Sequence, residues 1–230
     1  MTHTKLAQAI LITTLTLSFS SCIVHVGGHN SDSDKNREYS SVFGGVEIEK
    51  NQQVGDLSSV NGNIELDDGV SAEDVEAVNG NIELGANVTV KEISTVNGDI
   101  KAKHNLSVEG DMSTVNGNIR ISSNSTVGQD ITTVNGDIHL TQSTVNEDIR
   151  TKNGSITLKN GSVVNGNIEF ESQQGNKWWG DTKRQHNPPT LTIDGSSDVK
   201  GKIILHQVVI LEIENPDLLA KIERNYKGQE

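Results

Sequence analysis

The stretch Ser94–Ile100, STVNGDI, decides the fold of this chain, because near copies of it recur from residue 42 to residue 158. An Asn-Gly pair between apolar residues is a strong signal for a tight turn. Each copy is therefore either a β-hairpin or the same corner of a coil that continues in one direction. The spacing of the copies distinguishes these two possibilities.

The copies repeat every 18 or 19 residues and align in three apolar columns. A fixed period of this length is the signature of a repeat architecture. Polar residues alternate with the second and third columns, as in a strand with one face buried. We expect all three columns to face inward. The first column is Val42, Val60, Val78, Val96, Val115, Val134 and Lys152, the second is Val46, Ile64, Ile82, Ile100, Ile119, Ile138 and Ile156, and the third is Ile48, Leu66, Leu84, Ala102, Ile121, Leu140 and Leu158.

A second motif, Val-x-x-(x)-Ile, occupies the other half of each repeat. Its middle residue is Glu147 in one copy and Gln129 in another, and burying an unpartnered polar side chain is costly. The backbone is therefore expected to bend inside the motif. From Val108 onward the motif gains one residue, and the apolar columns continue undisturbed. In an antiparallel meander that residue would reverse every later side chain, whereas a corner can absorb it.

The sequence therefore predicts an all-β protein, a right- or left-handed parallel β-solenoid with coils of 18–19 residues that stack at about 4.8 Å. An antiparallel hairpin meander is the alternative. Equivalent asparagines in stacked coils can form hydrogen-bonded ladders. We expect such a ladder, and no ligand site, at Asn61, Asn79, Asn97, Asn116, Asn135 and Asn153.

The coil pattern of residues 154–168 returns at residues 189–203, so the solenoid is predicted to span residues 42–215 with an inserted loop at about 171–188. The loop carries both tryptophans, Trp178 and Trp179, together with basic residues that include Arg184. Tryptophan and arginine are enriched in binding hot spots. These three residues are the candidate contact with an envelope protein or a glycan, and the alternative is that the tryptophans cover a face of the solenoid.

The C-terminal segment, residues 216–230, is predicted to cap the open end. Pro216 stands where a helix begins, and Leu218, Leu219 and Ile222 share one side of it. Solenoids require such covers because their edge strands otherwise pair with other chains. We expect a short amphipathic helix at residues 216–225 and a tail.

The N-terminal 21 residues have the pattern of a signal peptide, with one lysine, an apolar stretch and small residues before Cys22. Cys22 is the single cysteine, and its setting resembles the lipobox of bacterial lipoproteins, with Phe19 in place of the usual leucine. The resemblance implies removal of residues 1–21, acylation of Cys22 and, because Ile23 follows it, the outer membrane. The alternative is an ordinary signal peptide followed by a free cysteine. Residues 22–41, which are rich in Gly, Ser, Asp and Asn, are expected to form a flexible tether.

Composition narrows the classes of function. A formal net charge of −12 excludes nucleic acid as an expected partner, because such binding needs basic patches. The chain has neither a Gly-x-Ser-x-Gly nor a His-Glu-x-x-His motif, and it lacks the calcium-binding nonapeptide repeat. Asp99, Asp130, Asp137 and Asp148 are the carboxylates that a polysaccharide-cleaving solenoid could use, but repetition accounts for them. No metal, cofactor or catalytic residue is expected.

The Val-Asn-Gly-Asp/Asn-Ile repeats of residues 42–170 resemble the β-strand-repeat family of bacterial envelope proteins described as adhesins. A more distant similarity is to bactofilins, which are polymer-forming β-solenoids. Together with the lipoprotein signal, the resemblance implies a non-catalytic, lipid-anchored envelope protein, periplasmic or at the surface, that serves in adhesion or as a scaffold or spacer. The alternatives are a polysaccharide-active β-helix enzyme and a self-polymerising structural protein.

Overall fold

The computed structural model describes residues 24–26, 37–172 and 188–226. Over these residues the chain winds into a parallel β-solenoid of about nine turns. Successive strands pair in parallel one coil apart, as Ile82, Ile100 and Ile119 do. The predicted solenoid is therefore confirmed, and the hairpin meander is wrong.

Each coil contributes up to three strand segments, which stack into three faces. The second and third faces belong to one sheet, because Ser71–Asn79 and Thr89–Asn97 run through both. The first face stacks Val24–Val26, Val46–Ile48, Ile64–Leu66, Ile82–Leu84, Ile100–Ala102, Ile119–Ile121, Ile138–Thr141, Ile156–Lys159, Thr190–Ile193 and Ile210–Ile213. The second face adds Ser107–Val108, Ser125–Val127, Ser143–Val145, Val163–Val164 and Asp198–Val199. The third face adds Tyr39–Phe43, Leu57–Asn61, Met112–Asn116, Ile131–Asn135, Ile149–Thr151, Ile168–Phe170, Ile203–Leu205 and Ile222–Arg224.

The core is a continuous column of aliphatic side chains inside the coils. The second and third predicted columns are buried in it as expected, and Ile100 and Leu140 have no exposed surface. Full burial of one such side chain stabilises the fold by about 1.5–3 kcal/mol. Repetition of small contributions therefore replaces the large aromatic core that this composition lacks.

The first column does not face inward, and that prediction is wrong. Along Ile93–Asn97, Ile93 and Thr95 are buried, whereas Val96 is partly exposed. Side chains alternate along a strand, so a residue three positions after a buried Ile must face the solvent. The threonine hydroxyl is satisfied inside, because Thr95 Oγ1 donates to the carbonyl oxygen of Gly80 at 3.1 Å.

The corner between the second and third faces absorbs the extra residue that follows Val108, as predicted. In the 18-residue coils the strand Thr89–Asn97 passes through the corner, and both Val90 and Ile93 remain buried. The longer coils have two separate strands at this place. In the first of them, Ser107–Val108 and Met112–Asn116 pair with the two halves of Thr89–Asn97. Glu147 and Gln129 are exposed at this corner, as the expected bend requires.

The Asn-Gly corner uses glycine for a reason different from the one assumed in a tight turn. None of the glycines that follow the ladder asparagines has a positive φ. Instead, a Cβ atom on Gly98 would lie 2.0 Å from the carbonyl oxygen of Gly80 in the preceding coil. The column therefore consists of glycine because the coils stack too closely for a side chain. It is Gly62, Gly80, Gly98, Gly117, Gly136 and Gly154.

Left-handed residues occupy another corner, after the first face. The asparagines there have φ between 57° and 60°, a conformation that asparagine adopts more readily than most residues. Asn105 Nδ2 also donates to Asn87 Oδ1 at 2.8 Å. This column is Asn51, Gly69, Asn87, Asn105, Asn124, Gln142 and Asn160. It was not identified from the sequence.

Both ends of the solenoid differ from the predicted boundaries. Val24–Val26 pairs with Val46–Ile48, and the third face begins at Tyr39, so strands occur within the segment expected to be a tether. At the other end a 3₁₀ helix, Pro216–Lys221, is shorter than the expected helix. The strand Ile222–Arg224 follows it and pairs with Ile203–Leu205, because an open sheet edge offers hydrogen bonds that a longer helix would leave unmade.

Candidate functional site

The predicted partner-binding residues Trp178, Trp179 and Arg184, and the predicted lipidation site Cys22, lie outside the described residues. The structure does show where the inserted segment is attached. The strand Ile168–Phe170 precedes it and Thr190–Ile193 follows it. In the five coils between Leu57 and Ile138 the Val-Asn-Gly corner connects the equivalent strands, and Lys152-Asn153-Gly154 does so in the next coil. The insertion therefore takes the place of one copy of that corner, at the C-terminal end of its column.

The predicted asparagine ladder is confirmed along this corner. Each side-chain amide donates to the amide oxygen of the preceding coil, at distances between 2.7 and 3.0 Å. At the N-terminal end Asn61 Nδ2 donates to the carbonyl oxygen of Val42 at 3.3 Å. An amide has two N–H groups and an oxygen with two lone pairs. The ladder uses one of each, which leaves a regular row of donors and acceptors at the solvent side.

Next to the ladder lies the first apolar column, whose valines the repeat pattern predicts inside. Val115 has 37 % of its surface exposed, and the others are partly exposed. Two residues before each valine, a mostly small polar residue also faces outward. We call this surface the valine face. It consists of three rows of residues. The first row is Val42, Val60, Val78, Val96, Val115 and Val134, the second is the ladder Asn61, Asn79, Asn97, Asn116, Asn135 and Asn153, and the third is Ser40, Ser58, Glu76, Ser94, Ser113 and Thr132.

A signal for this surface was present in the sequence. Counting in steps of two from the buried Ile93 puts Thr95 inside and Val96 outside. Hydrophobicity alone predicts these valines inside, whereas their position along the strand predicts them outside.

Acidic side chains gather near the corner between the second and third faces. Asp74 and Glu92 are directly opposite each other on paired strands. Burial, followed by the charges of Asp111 and Asp74, raises the pKa of Glu92. Partial desolvation, followed by the charges of Asp74 and Asp56, raises the pKa of Glu76, although its side chain is exposed. Lys91 lies 3.5 Å from Asp74 Oδ1, and the pKa of Lys91 is raised chiefly by that carboxylate.

The carboxylates considered for catalysis are part of the stacking. Asp99 Oδ1 accepts the backbone N–H of Asn118 at 2.8 Å, and Asp137 Oδ1 accepts that of Ser155 at 2.8 Å. Burial raises the pKa of Asp99, but the hydrogen bonds from Asn118 and the charge of Arg120 lower it overall. Asp130 and Asp148 accept backbone N–H groups in the same way. Their second oxygens pair with the guanidinium of Arg150.

An open depression near the C-terminal end is lined by lysines, and each of them is paired. Lys202 Nζ lies 2.6 Å from Glu223, and both Lys200 and Lys221 pair with Asp198. Among the described residues, no group of three or more His, Cys, Asp and Glu side chains is placed to hold a metal ion. Nor do the described ranges contain a helix that is long and apolar enough to cross a membrane.

Comparison of the chain with protein-family models, with curated proteins and with solved structures gave no match.

Proposed function

We propose that this protein is a non-catalytic, lipid-anchored β-solenoid of the bacterial cell envelope, which serves as an adhesion, scaffold or spacer module. The observation that carries the proposal is the continuous stack of about nine coils. At about 4.8 Å per coil, the stack forms a rod about 40 Å long. Such a rod can hold a binding surface at a fixed distance from an anchor.

The anchor rests on the N-terminal sequence. Residues 1–21 have the organisation of a signal peptide, and Cys22 follows directly. One acyl chain binds a membrane only marginally, and stable anchoring requires at least a second signal. Multiple acylation at Cys22 would hold the rod permanently at the outer membrane.

The hydrogen bonds of the corner carboxylates favour a structural role over catalysis. Glycoside hydrolysis needs two carboxyl groups at a fixed separation that reach the substrate. Asp99, Asp130, Asp137 and Asp148 each use one oxygen to accept a backbone N–H from the next coil. These side chains therefore have a stacking role that explains their repetition.

Anchoring is tested by labelling cells with an isotopic fatty acid while they produce the wild-type chain or Cys22→Ser. The wild-type protein should take up label and sediment with the membranes, and the variant should do neither. Protease treatment of intact and of permeabilised cells then locates the rod. Digestion in intact cells favours adhesion, and digestion only after permeabilisation favours a periplasmic scaffold. An unlabelled wild-type protein would refute the anchor.

The inserted segment supplies the second part of the proposal, that Trp178, Trp179 and Arg184 contact an envelope protein or a glycan. The support is compositional, since both tryptophans of the chain are in this segment. Trp178→Ala/Trp179→Ala should reduce retention of a partner without lowering the melting temperature. A large fall in melting temperature would instead mean that the tryptophans stabilise the fold.

A further inference from the structure

The valine face is distinguished from the rest of the surface by its uniformity. The first face also has an outward column, and its residues change along the rod from Glu65 to Lys101 and Thr157. The solenoid therefore does not need one residue type at outward positions. The valine column is apolar in six successive coils, although its side chains do not enter the core. Single scattered surface hydrophobics need no explanation, but a row of valines in six successive coils is not scattered.

The size of the valine face restricts its occupant. Five coil intervals at about 4.8 Å give a length of about 24 Å, and its width is that of a short strand segment, about 10 Å. These values give roughly 240 Å², whereas a stable protein–protein interface needs about 800 Å² from each partner. A second copy of this chain is therefore too large a partner for this surface alone, and a narrow linear ligand fits it.

The hydrogen-bonding groups of the face indicate which linear ligand it is. An extended peptide adds to a sheet through backbone groups at an open edge. On the valine face the backbone groups are already used between coils, as the Gly98 N–H is by the carbonyl oxygen of Asn116 at 3.1 Å. The groups that remain are amides and hydroxyls at regular intervals beside methyl groups. This combination suits a chain of sugars, which presents hydroxyls at its edges and C–H groups on its ring faces.

The negative charge of the protein favours a neutral polysaccharide over an acidic one. The chain carries a formal net charge of −12, and Glu76 lies within the face. The serines, threonine, asparagines and valines of the face are uncharged. A polyanionic polysaccharide would be repelled by this field.

From these observations we infer that the valine face binds a neutral, linear polysaccharide, which lies along the rod with its sugar rings on the valines and its hydroxyls on the asparagine ladder. The inference gives a substrate class to the proposed adhesion or scaffold function and rests on it. The contact needs no catalytic group, and it assigns to the asparagine ladder a ligand that the sequence does not predict.

The test uses the full-length chain in detergent micelles and measures retardation in gels that contain dextran, hydroxyethylcellulose or alginate. Val96→Lys/Val115→Lys puts two stacked charges on the valine face. Ser107→Lys/Thr126→Lys is the matched control, because these exposed residues are also register neighbours, on the second face. We expect dextran or hydroxyethylcellulose, and not alginate, to retard the wild type and the control. The valine variant should bind at least about tenfold more weakly, which corresponds to about 1.4 kcal/mol.

Three results would overturn the inference. They are the absence of retardation by both neutral polymers, equal retardation of the two lysine variants, and preference for alginate. Sedimentation of the wild type as a dimer that the valine variant abolishes would assign the face to a second copy. If neither neutral polymer binds and both Val96→Lys/Val115→Lys and Trp178→Ala/Trp179→Ala lower the melting temperature, the chain itself covers the face. None of these results affects the fatty-acid labelling of Cys22, so failure of this inference is distinguishable from failure of the anchor.

Discussion

Gly98 offers a direct test of why the Asn-Gly corner requires glycine. A Cβ atom at Gly98 would lie 2.0 Å from the carbonyl oxygen of Gly80 and 2.6 Å from its carbonyl carbon. Non-bonded heavy atoms are most stable at about 3.5–4.0 Å, so the corner would have to move by more than about 1 Å. The hydrogen bond from the Gly80 N–H to the carbonyl oxygen of Asn97, at 3.1 Å, opposes that movement.

We expect Gly98→Ala to destabilise the protein by about 2 kcal/mol. Forcing an extra methyl group into a packed site costs about 1–3 kcal/mol, and the 2.0 Å approach to a backbone oxygen puts Gly98 at the upper end of this range. The loss of unfolded-state freedom offsets about 0.4–1 kcal/mol of this. For a chain of this size the net change lowers the melting temperature by about 4–8 °C. Circular dichroism of the full-length chain during heating and in urea measures both quantities.

Two controls separate close stacking from backbone conformation. Gly110→Ala should change stability by less than about 0.5 kcal/mol, because its Cβ would meet one atom, the carbonyl oxygen of Lys91, at 3.1 Å. Gly69 has a φ of 76° and lies in the column of left-handed asparagines. A Cβ there would lie 2.4 Å from Asn51 Oδ1, but this atom is the end of a side chain that can turn aside, so Gly69→Asn should be tolerated. Gly98→Asn should be at least as harmful as Gly98→Ala. Tolerance of asparagine at position 98 would show that the corner needs a left-handed residue, and the stacking explanation would be refuted.

Three further predictions concern charge and orientation. Glu92→Gln should stabilise the protein at pH 7 by a few tenths to about 1 kcal/mol, because it removes a like-charge pair with Asp74. The pKa of Glu92 is raised in the folded state, so the native protein binds its proton more tightly and urea titrations should show the advantage shrinking as the pH falls toward 4. Partial burial raises the pKa of Asp194, but hydrogen bonds, the first from the Asn160 N–H, lower it to about 2. Asp194→Asn should therefore cost about 1 kcal/mol above pH 4, and acid titration should show the difference vanishing between pH 4 and pH 2. Thermal melts should show that Val96→Thr changes stability by less than about 0.5 kcal/mol. Thr95→Ala, at the buried neighbouring position, should cost about 1–2 kcal/mol.

The parts of the fold that were predictable are those in which repetition acts. Ile64, Ile82 and Ile100 recur at one spacing, so their burial in a common column followed from the period alone. The asparagine ladder followed from the same alignment. The extra residue at Val108 distinguished a coil from a hairpin, because its effect on later residues is opposite in the two folds.

Other features of the fold could not be predicted, because they depend on distances between stacked coils and not on the sequence of one repeat. The 2.0 Å approach at Gly98 arises only when two corners are stacked. Asn105 adopts its left-handed conformation at a corner that has no Asn-Gly pair. The end of the 3₁₀ helix at Lys221 depends on the free edge of Ile203–Leu205, which accepts one more strand. Of the candidate sites, Cys22 and the tryptophans remain predictions, and the valine face could have been found by counting alternate residues from Ile93.

The orientation of the valine column shows how two sequence rules conflict. Hydrophobicity places Val96 inside, and alternation from Ile93 places it outside. Alternation prevails because reversing the strand would expose Ile93 and would remove the bond from Thr95 Oγ1 to the carbonyl oxygen of Gly80. Burial of threonine is inexpensive there, since the carbonyl oxygen accepts its hydroxyl. An apolar residue at an outward position thus costs the solenoid little in stability, because the core is already filled by Ile93 and its equivalents.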